Sequence, residues 1–198
     1  MLALADAYLA GGARFLQIRA KRSASGPLLE MCEQVIARSR PAGATVIVND
    51  RADIATLSHA DGVHLGQDDL DPADARRILG GFAVIGLSTH SVDQARAAAR
   101  AAVSYIAVGP VFGTSSKVTG YNAVGTALVS DVREMLDKEG VDLPIVAIGG
   151  ITLERAPDVM RAGAASVAII SDLLSGGDPA ARVREFLAAL DGGRSRGR

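Results

Sequence analysis

Short runs of consecutive β-branched or aliphatic residues recur along the chain, each followed by a stretch with helical spacing of its apolar positions. The runs cover residues 15–18, 45–48, 62–65, 83–87, 105–108, 145–148 and 167–170. Apolar residues on successive rather than alternate positions are what a strand covered on both faces requires. The pattern therefore predicts seven strands, with helices between them whose ends are readable. Asp71-Pro72 opens one that stops at Gly80-Gly81, and Asp178-Pro179 opens the last, with Val183, Phe186, Leu187 and Leu190 on one face. Val124, Leu128, Val132, Met135 and Leu136 give another helix a single apolar stripe. Cys32 falls in register with Leu28, Leu29, Val35 and Ile36 on a helix over 28–38, which makes it a core residue.

Strict alternation of strand and helix implies a parallel sheet, built either as an open doubly wound sheet or as a closed barrel. An open nucleotide-binding sheet carries G-x-G-x-x-G after its first strand, and none follows residues 15–18. Here Gly149-Gly150 follows the penultimate strand and Ser171 the last, the usual placing of the phosphate site in a (β/α)8 TIM barrel. The fold expected is therefore an α/β (β/α)8 barrel. The chain, however, begins with a helix over 2–9 ended by Gly11-Gly12, so the barrel expected lacks its first β-strand. A start assigned too far downstream, a shortened chain or a barrel with a gap would each give that pattern. The expected organisation is a single barrel domain over 1–190 and a disordered tail over 191–198, where GGRSRGR has no apolar residue.

Composition narrows the function. With 198 residues and 48% hydrophobic content, the chain has ample material for one core. Its 21 basic and 22 acidic residues leave a net charge of −1, which lacks the cationic excess that nucleic acid or an anionic membrane would require. No apolar run approaches the roughly 20 residues of a membrane helix. One cysteine cannot form an internal disulfide, and the N-terminus lacks a basic segment ahead of a long apolar run. These features predict a cytoplasmic protein whose partner is a small molecule.

In a barrel the chemistry sits where strands end. Gln17, Arg19 and Lys21 are alternate members of QIRAK and share one face while the strand stays extended. Two cations in one cavity call for an anion, the alternative being an exposed Arg and Lys at a strand end. Asn49-Asp50 and Gly66-Gln67-Asp68-Asp69 end the next two strands, and Asp50 with Asp69 offers the few carboxylates that suit Mg²⁺. Asp71 reads as a helix N-cap, and His64, inside its strand, as a packed and hydrogen-bonded histidine rather than a metal ligand. Ser91 is the better cap of the following helix, which leaves Ser88 free. A nucleophilic Ser88 with His90 as base is unattractive, since no orienting acid is evident. The long polar loop after residues 105–108 gathers Thr114, Ser115, Ser116 and Lys117 between Gly113 and Gly120, either as a flap over an anion or as a solvated loop.

At these residues the chain resembles the thiamine-phosphate synthase family. The matching segments are QIRAK (17–21), VNDRADIA (48–55), ADGVHLGQDDL (60–70), IGLSTHS (85–91), YIAVGPVFGTSSK (105–117), PIVAIGGIT (144–152) and VAIIS (167–171). The resemblance implies a Mg²⁺-dependent transferase that joins hydroxymethylpyrimidine diphosphate to a thiazole phosphate and releases diphosphate, acting as a monomer or a homodimer. It implies that Gln17, Ile18, Arg19, Ala20, Lys21 and Asn49 contact the pyrimidine diphosphate, with Asp50 and Asp69 on Mg²⁺. Ser88 would meet the pyrimidine and Lys117 the diphosphate, so that Arg19, Lys21, Ser88 and Lys117 carry catalysis. Thr114, Ser115 and Ser116 would hold the thiazole partner, whose phosphate Gly149, Gly150, Ile170 and Ser171 would receive. Ser116 stands where the family has a second threonine and keeps the hydroxyl. Two alternatives stay open: a thiazole tautomerase, in which a histidine follows the strand where this chain has Gly109-Pro110, and a non-catalytic thiamine-phosphate binding protein.

Overall fold

A computed structural model describes residues 1–113 and 122–194, with residues 192–194 described by backbone alone. Its strands are β1 (Phe15–Ile18), β2 (Thr45–Asn49), β3 (Gly62–Leu65), β4 (Val84–Thr89), β5 (Tyr105–Val108), β6 (Ile145–Ile148) and β7 (Ser166–Ala168). Around them run the helices α1 (Leu2–Ala10), α2 (Ser25–Ser39), α3 (Ala52–Leu57), α4 (Pro72–Leu79), α5 (Val92–Ala99), α6 (Gly125–Lys138), α7 (Ala156–Arg161) and α8 (Pro179–Arg194). Each strand pairs in parallel with the next, giving one sheet in the order β1-β2-β3-β4-β5-β6-β7. The sheet curls into a half-barrel with its helices outside.

The strands are apolar on both faces because both faces are packed. Outward residues such as Val46, Val48, Val63, Leu65, Ile85 and Ile106 meet the helices, whereas Ile47, Tyr105 and Ala107 pack with Val84, Val146 and Ile148 inside the curl. The helix ends follow local chemistry. The Asp71 carboxylate accepts the Ala73 N–H at 2.8 Å with Pro72 in the first turn, and Ser91 Oγ accepts the Gln94 N–H at 3.2 Å.

Helices α1 and α8 touch each other, so the outer layer is continuous where the inner sheet is not. Phe15 and Gln17 of β1, and Ser166 and Ala168 of β7, are exposed. Among the described residues no eighth strand lies between them.

Of the boundaries that differ from the sequence pattern, three bear on the fold. β4 runs on to Thr89 because its polar end is satisfied within the sheet, where Thr89 Oγ1 donates to the Ala107 carbonyl at 3.1 Å. β7 stops at Ala168, since an edge strand has pairing on one side only, and this leaves Ile170 and Ser171 beyond the strand. α8 continues to Arg194, past the expected end at 190, because helical hydrogen bonds are local and need no apolar face.

Candidate active site

The carboxyl ends of β1 to β4 bring together most of the expected residues. Asn49 ends β2 and is buried; Asp50 follows it with φ 65, a left-handed conformation that Asp and Asn tolerate better than most residues. The turn is held by the Asp50 N–H, which donates to the His64 carbonyl at 2.8 Å. It aims the Asp50 carboxylate at Lys21, whose Nζ lies 2.9 Å from Oδ2. Ala20, Lys21, Ser23, Leu28, Asn49, Asp50 and Arg51 line a pocket of about 120 Å³ there. Arg19 Nε and Asn49 Nδ2 are buried with no hydrogen-bond partner among the described residues. Buried donors left this way are costly unless something fills the space before them. Gln17 is exposed on the open side of β1.

Asp69 accepts the Gly66 N–H at 2.7 Å. Burial pushes its carboxyl above the usual range; the Gly66 hydrogen bond works against this, and neighbouring Asp50 adds to the rise. A carboxyl raised in the folded state contributes stability that is present below its unfolded pKa and is lost as pH rises through its folded pKa. We expect the metal-free protein to lose stability as pH climbs from the ordinary carboxylate range through the raised pKa of Asp69. Denaturant unfolding at a series of pH values checks this, and Asp69→Asn should remove that part of the slope. Among the described residues no group of three or more His, Cys, Asp and Glu side chains clusters to hold a metal, so a cation would rest on the Asp50 and Asp69 pair.

A buried polar line runs behind this cluster. Tyr105 Oη lies 2.7 Å from His64 Nδ1, and His64 Nε2 lies 2.8 Å from Ser88 Oγ. Gln67 Nε2 donates to the Ser88 carbonyl at 2.7 Å. His64 is thus the packed, hydrogen-bonded histidine that its position in the strand suggested. Ser91 caps the following helix as expected, and the Ser88 hydroxyl, left free of that task, meets this histidine across the sheet. His90 instead turns its Nδ1 to the Gly109 carbonyl, and its N–H donates to Gln94 Oε1 at 2.7 Å. The sequence reading missed Tyr105. The signal was Gly86, a glycine inside a strand, which marks a close approach: a Cβ there would collide with the Tyr105 ring.

On the other side, Gly149 (φ 92) and Gly150 (φ 63) turn the chain after β6. The Phe112 N–H donates to the Gly149 carbonyl at 3.0 Å, and Arg155 both donates to the Gly150 carbonyl at 3.0 Å and covers the Phe112 ring at 4.6 Å. Asp172 joins this turn to the loop after β7, accepting from Leu153 N–H at 3.2 Å and pairing with Arg182 at 2.7 Å. Ile170 and Ser171 are exposed beside it. Thr114, Ser115, Ser116 and Lys117 lie outside the described residues; Gly113, which precedes them, has its carbonyl against Gly150. Cys32 is fully buried, its thiol pushed up to about 11, and takes no part.

Comparison with known proteins supplies the deciding observation. The family profile described as thiamine monophosphate synthase matches residues 1–173. The chain belongs to this family. A thiamine-phosphate synthase from Chlorobium luteolum is 42% identical over 183 residues, 92% of this chain and 84% of that protein. One from Anaeromyxobacter dehalogenans is 40% identical over 194 residues, 98% of this chain and 85% of the relative. Among solved structures, the thiamine phosphate pyrophosphorylase from Pyrococcus furiosus superposes with a TM-score of 0.86 at 28% identity, covering 97% of this chain and 90% of that one. The strand-end cluster and the double-glycine turn both follow the carboxyl ends of strands in the one parallel sheet.

Proposed function

We propose that the chain is a thiamine-phosphate synthase, a transferase that couples hydroxymethylpyrimidine diphosphate to a thiazole phosphate with release of diphosphate. The observation that carries this reading is the convergence, at one end of the half-barrel, of donors on Arg19 and Asn49 that have no partner among the described residues with the Lys21–Asp50–Asp69 charge cluster. Such a set awaits an anion with a divalent cation. Family membership and relatives of about 40% identity named for this activity support reading the anion as the pyrimidine diphosphate.

In the reaction the C–O bond between the pyrimidine methylene and the diphosphate breaks, with its electron pair leaving on the diphosphate. The thiazole nitrogen then donates its lone pair to the methylene, forming the C–N bond. The barrier falls chiefly through stabilisation of charge on the leaving group, so preorganised cations and donors matter more than a strong base. Arg19, Lys21 and Lys117 would hold the diphosphate oxygens, Asn49 and Ser88 the pyrimidine, and Gly149, Gly150, Ile170 and Ser171 the thiazole's phosphate. Asp50 and Asp69 fit Mg²⁺ as a carboxylate pair whose mutual repulsion a cation would relieve, with Lys21 then turned to substrate. Bound there, Mg²⁺ would supply further charge neutralisation on the diphosphate. Gly109-Pro110 at the end of β5 offer no acid or base, so nothing there supports tautomerase chemistry.

We also read the sheet as the greater part of a (β/α)8 barrel, with the exposed edges of β1 and β7 facing the place of an eighth strand. No helix among the described residues is long and apolar enough to cross a membrane. The small, soluble substrates of the proposed reaction place its action in the cytoplasm on this reading.

Lys117→Ala should lower kcat by roughly a hundredfold at saturating substrates, the scale of losing one charge-stabilising group, and leave thermal unfolding unchanged. Steady-state assay of diphosphate release tests this; near-normal turnover would overturn the role given to Lys117.

A further inference from the structure

The geometry points to Tyr105 and His64 as positioning residues that fix the Ser88 hydroxyl as a hydrogen-bond donor toward the bound pyrimidine. This rests on the proposed function for the identity of the ligand, but the device itself is read from the side chains. Tyr105 Oη, His64 Nδ1, His64 Nε2 and Ser88 Oγ form a line of two hydrogen bonds, at 2.7 and 2.8 Å. With a neutral imidazole, three protons are available along it: one on the phenol, one on the ring and one on the serine. Two hydrogen bonds use two protons. The third must sit at one end of the line and find an acceptor outside it.

The two ends are not equivalent. The Tyr105 ring crosses over Gly86, which lies in register between His64 on β3 and Tyr105 on β5. A side chain at Gly86 would overlap the phenol oxygen, so that end is closed by backbone. Phe15, itself exposed at the edge of β1, meets the same ring edge-on with centroids 6.0 Å apart, and Tyr105 is buried against Ile47 and Ala107. Among the described residues, His64 is the hydrogen-bond partner of both the Tyr105 and the Ser88 hydroxyls. A proton left over on Tyr105 would therefore be stranded in an apolar enclosure. Burial also keeps the phenol protonated, well above its usual range. The phenol must donate to Nδ1, which places the ring proton on Nε2, donating to Ser88 Oγ.

Ser88, buried near the carboxyl end of β4, then keeps its own proton for an acceptor outside the line. The acceptor class this suits is a heteroaromatic ring nitrogen. The arrangement has no role in charge neutralisation, so its effect is on orientation: it fixes the ring about the methylene that is to be attacked. Small errors in such placement lower the rate of the chemical step more than they weaken binding.

The test uses the whole chain labelled with ¹⁵N-histidine. His64 is assigned by the signals that vanish in His64→Gln, and its tautomer is read from the two ring ¹⁵N shifts. A pyrrole-type Nε2 with a pyridine-type Nδ1 is the expected result; the reverse pattern overturns the proposal. In steady-state assays Tyr105→Phe should lower kcat about tenfold with little change in the KM for the pyrimidine diphosphate. His64→Gln, whose side-chain amide can donate to Ser88, should stay within about threefold of that, and His64→Ala should lose roughly a hundredfold. Equal losses in His64→Gln and His64→Ala, at wild-type unfolding midpoints, would overturn the positioning role. An unsubstituted chain with the expected tautomer but no thiamine phosphate formation would overturn the functional reading while upholding the hydrogen-bond direction.

Discussion

Asp50→Asn is expected to lower Mg²⁺-dependent turnover by about a thousandfold while leaving the chain folded. Asparagine is the substitution of choice because the residue sits at φ 65, in the left-handed region that Asn occupies as readily as Asp. The turn held by the hydrogen bond from its N–H to the His64 carbonyl is retained, since that bond is made by backbone. Only the charge is removed. Two electrostatic consequences oppose each other: Lys21 loses a partner at 2.9 Å, and Asp69 loses a neighbour that raises its pKa. The Lys21 pair is substantially solvated, so its loss costs within about 1 kcal/mol, and the relief at Asp69 offsets it. Stability should therefore stay near that of the unsubstituted chain, or rise slightly. Activity should not, because a cation held by one carboxylate loses both affinity and placement, and several kcal/mol of charge stabilisation go with it. Steady-state assays across a Mg²⁺ series, beside thermal unfolding, measure both effects. Turnover within tenfold of the unsubstituted chain would remove Asp50 from the site.

Gly150→Ala should have the second large effect, on the other half of the site. At φ 63 an alanine is strained, and its Cβ would lie 2.5 Å from the Gly113 carbonyl oxygen and 2.9 Å from Phe112 Cβ. Neither neighbour can yield freely, since Phe112 is fixed by its N–H bond to the Gly149 carbonyl and by the Arg155 guanidinium over its ring. The turn must open, carrying away backbone N–H groups that would face a phosphate. Losing two charge-assisted hydrogen bonds, at about 2 kcal/mol each, corresponds to roughly a thousandfold rise in the KM for the thiazole phosphate. The KM for the pyrimidine diphosphate should change much less. Varying each substrate in turn separates the two, and equal effects on both would deny the turn a specific role.

The strands were legible because a sheet covered on both faces needs apolar residues on successive positions, and few other local structures do. Caps were legible for the same local reason: the chemistry of Asp71 and Ser91 acts within three residues along the chain. What escaped depends on partners distant in sequence. Thr89 reads as a loop residue until its hydroxyl finds the Ala107 carbonyl in the next strand. The last strand is shorter than its apolar run because it lies at an edge, a property of the sheet and not of the run. The carboxylate pair and the strand-end cations could be named from the pattern, since strand ends are where a parallel sheet presents polar groups. The Tyr105–His64–Ser88 line could not, because it needs the register of three strands and the missing side chain at Gly86 to bring the groups together.

The most direct test of the account is to incubate the purified chain with hydroxymethylpyrimidine diphosphate, thiazole phosphate and Mg²⁺, and to quantify thiamine phosphate and diphosphate together. The account predicts both products in equal amounts, formed only when both substrates and the cation are present. Substrate binding without turnover, or release of diphosphate with no thiamine phosphate, would contradict it.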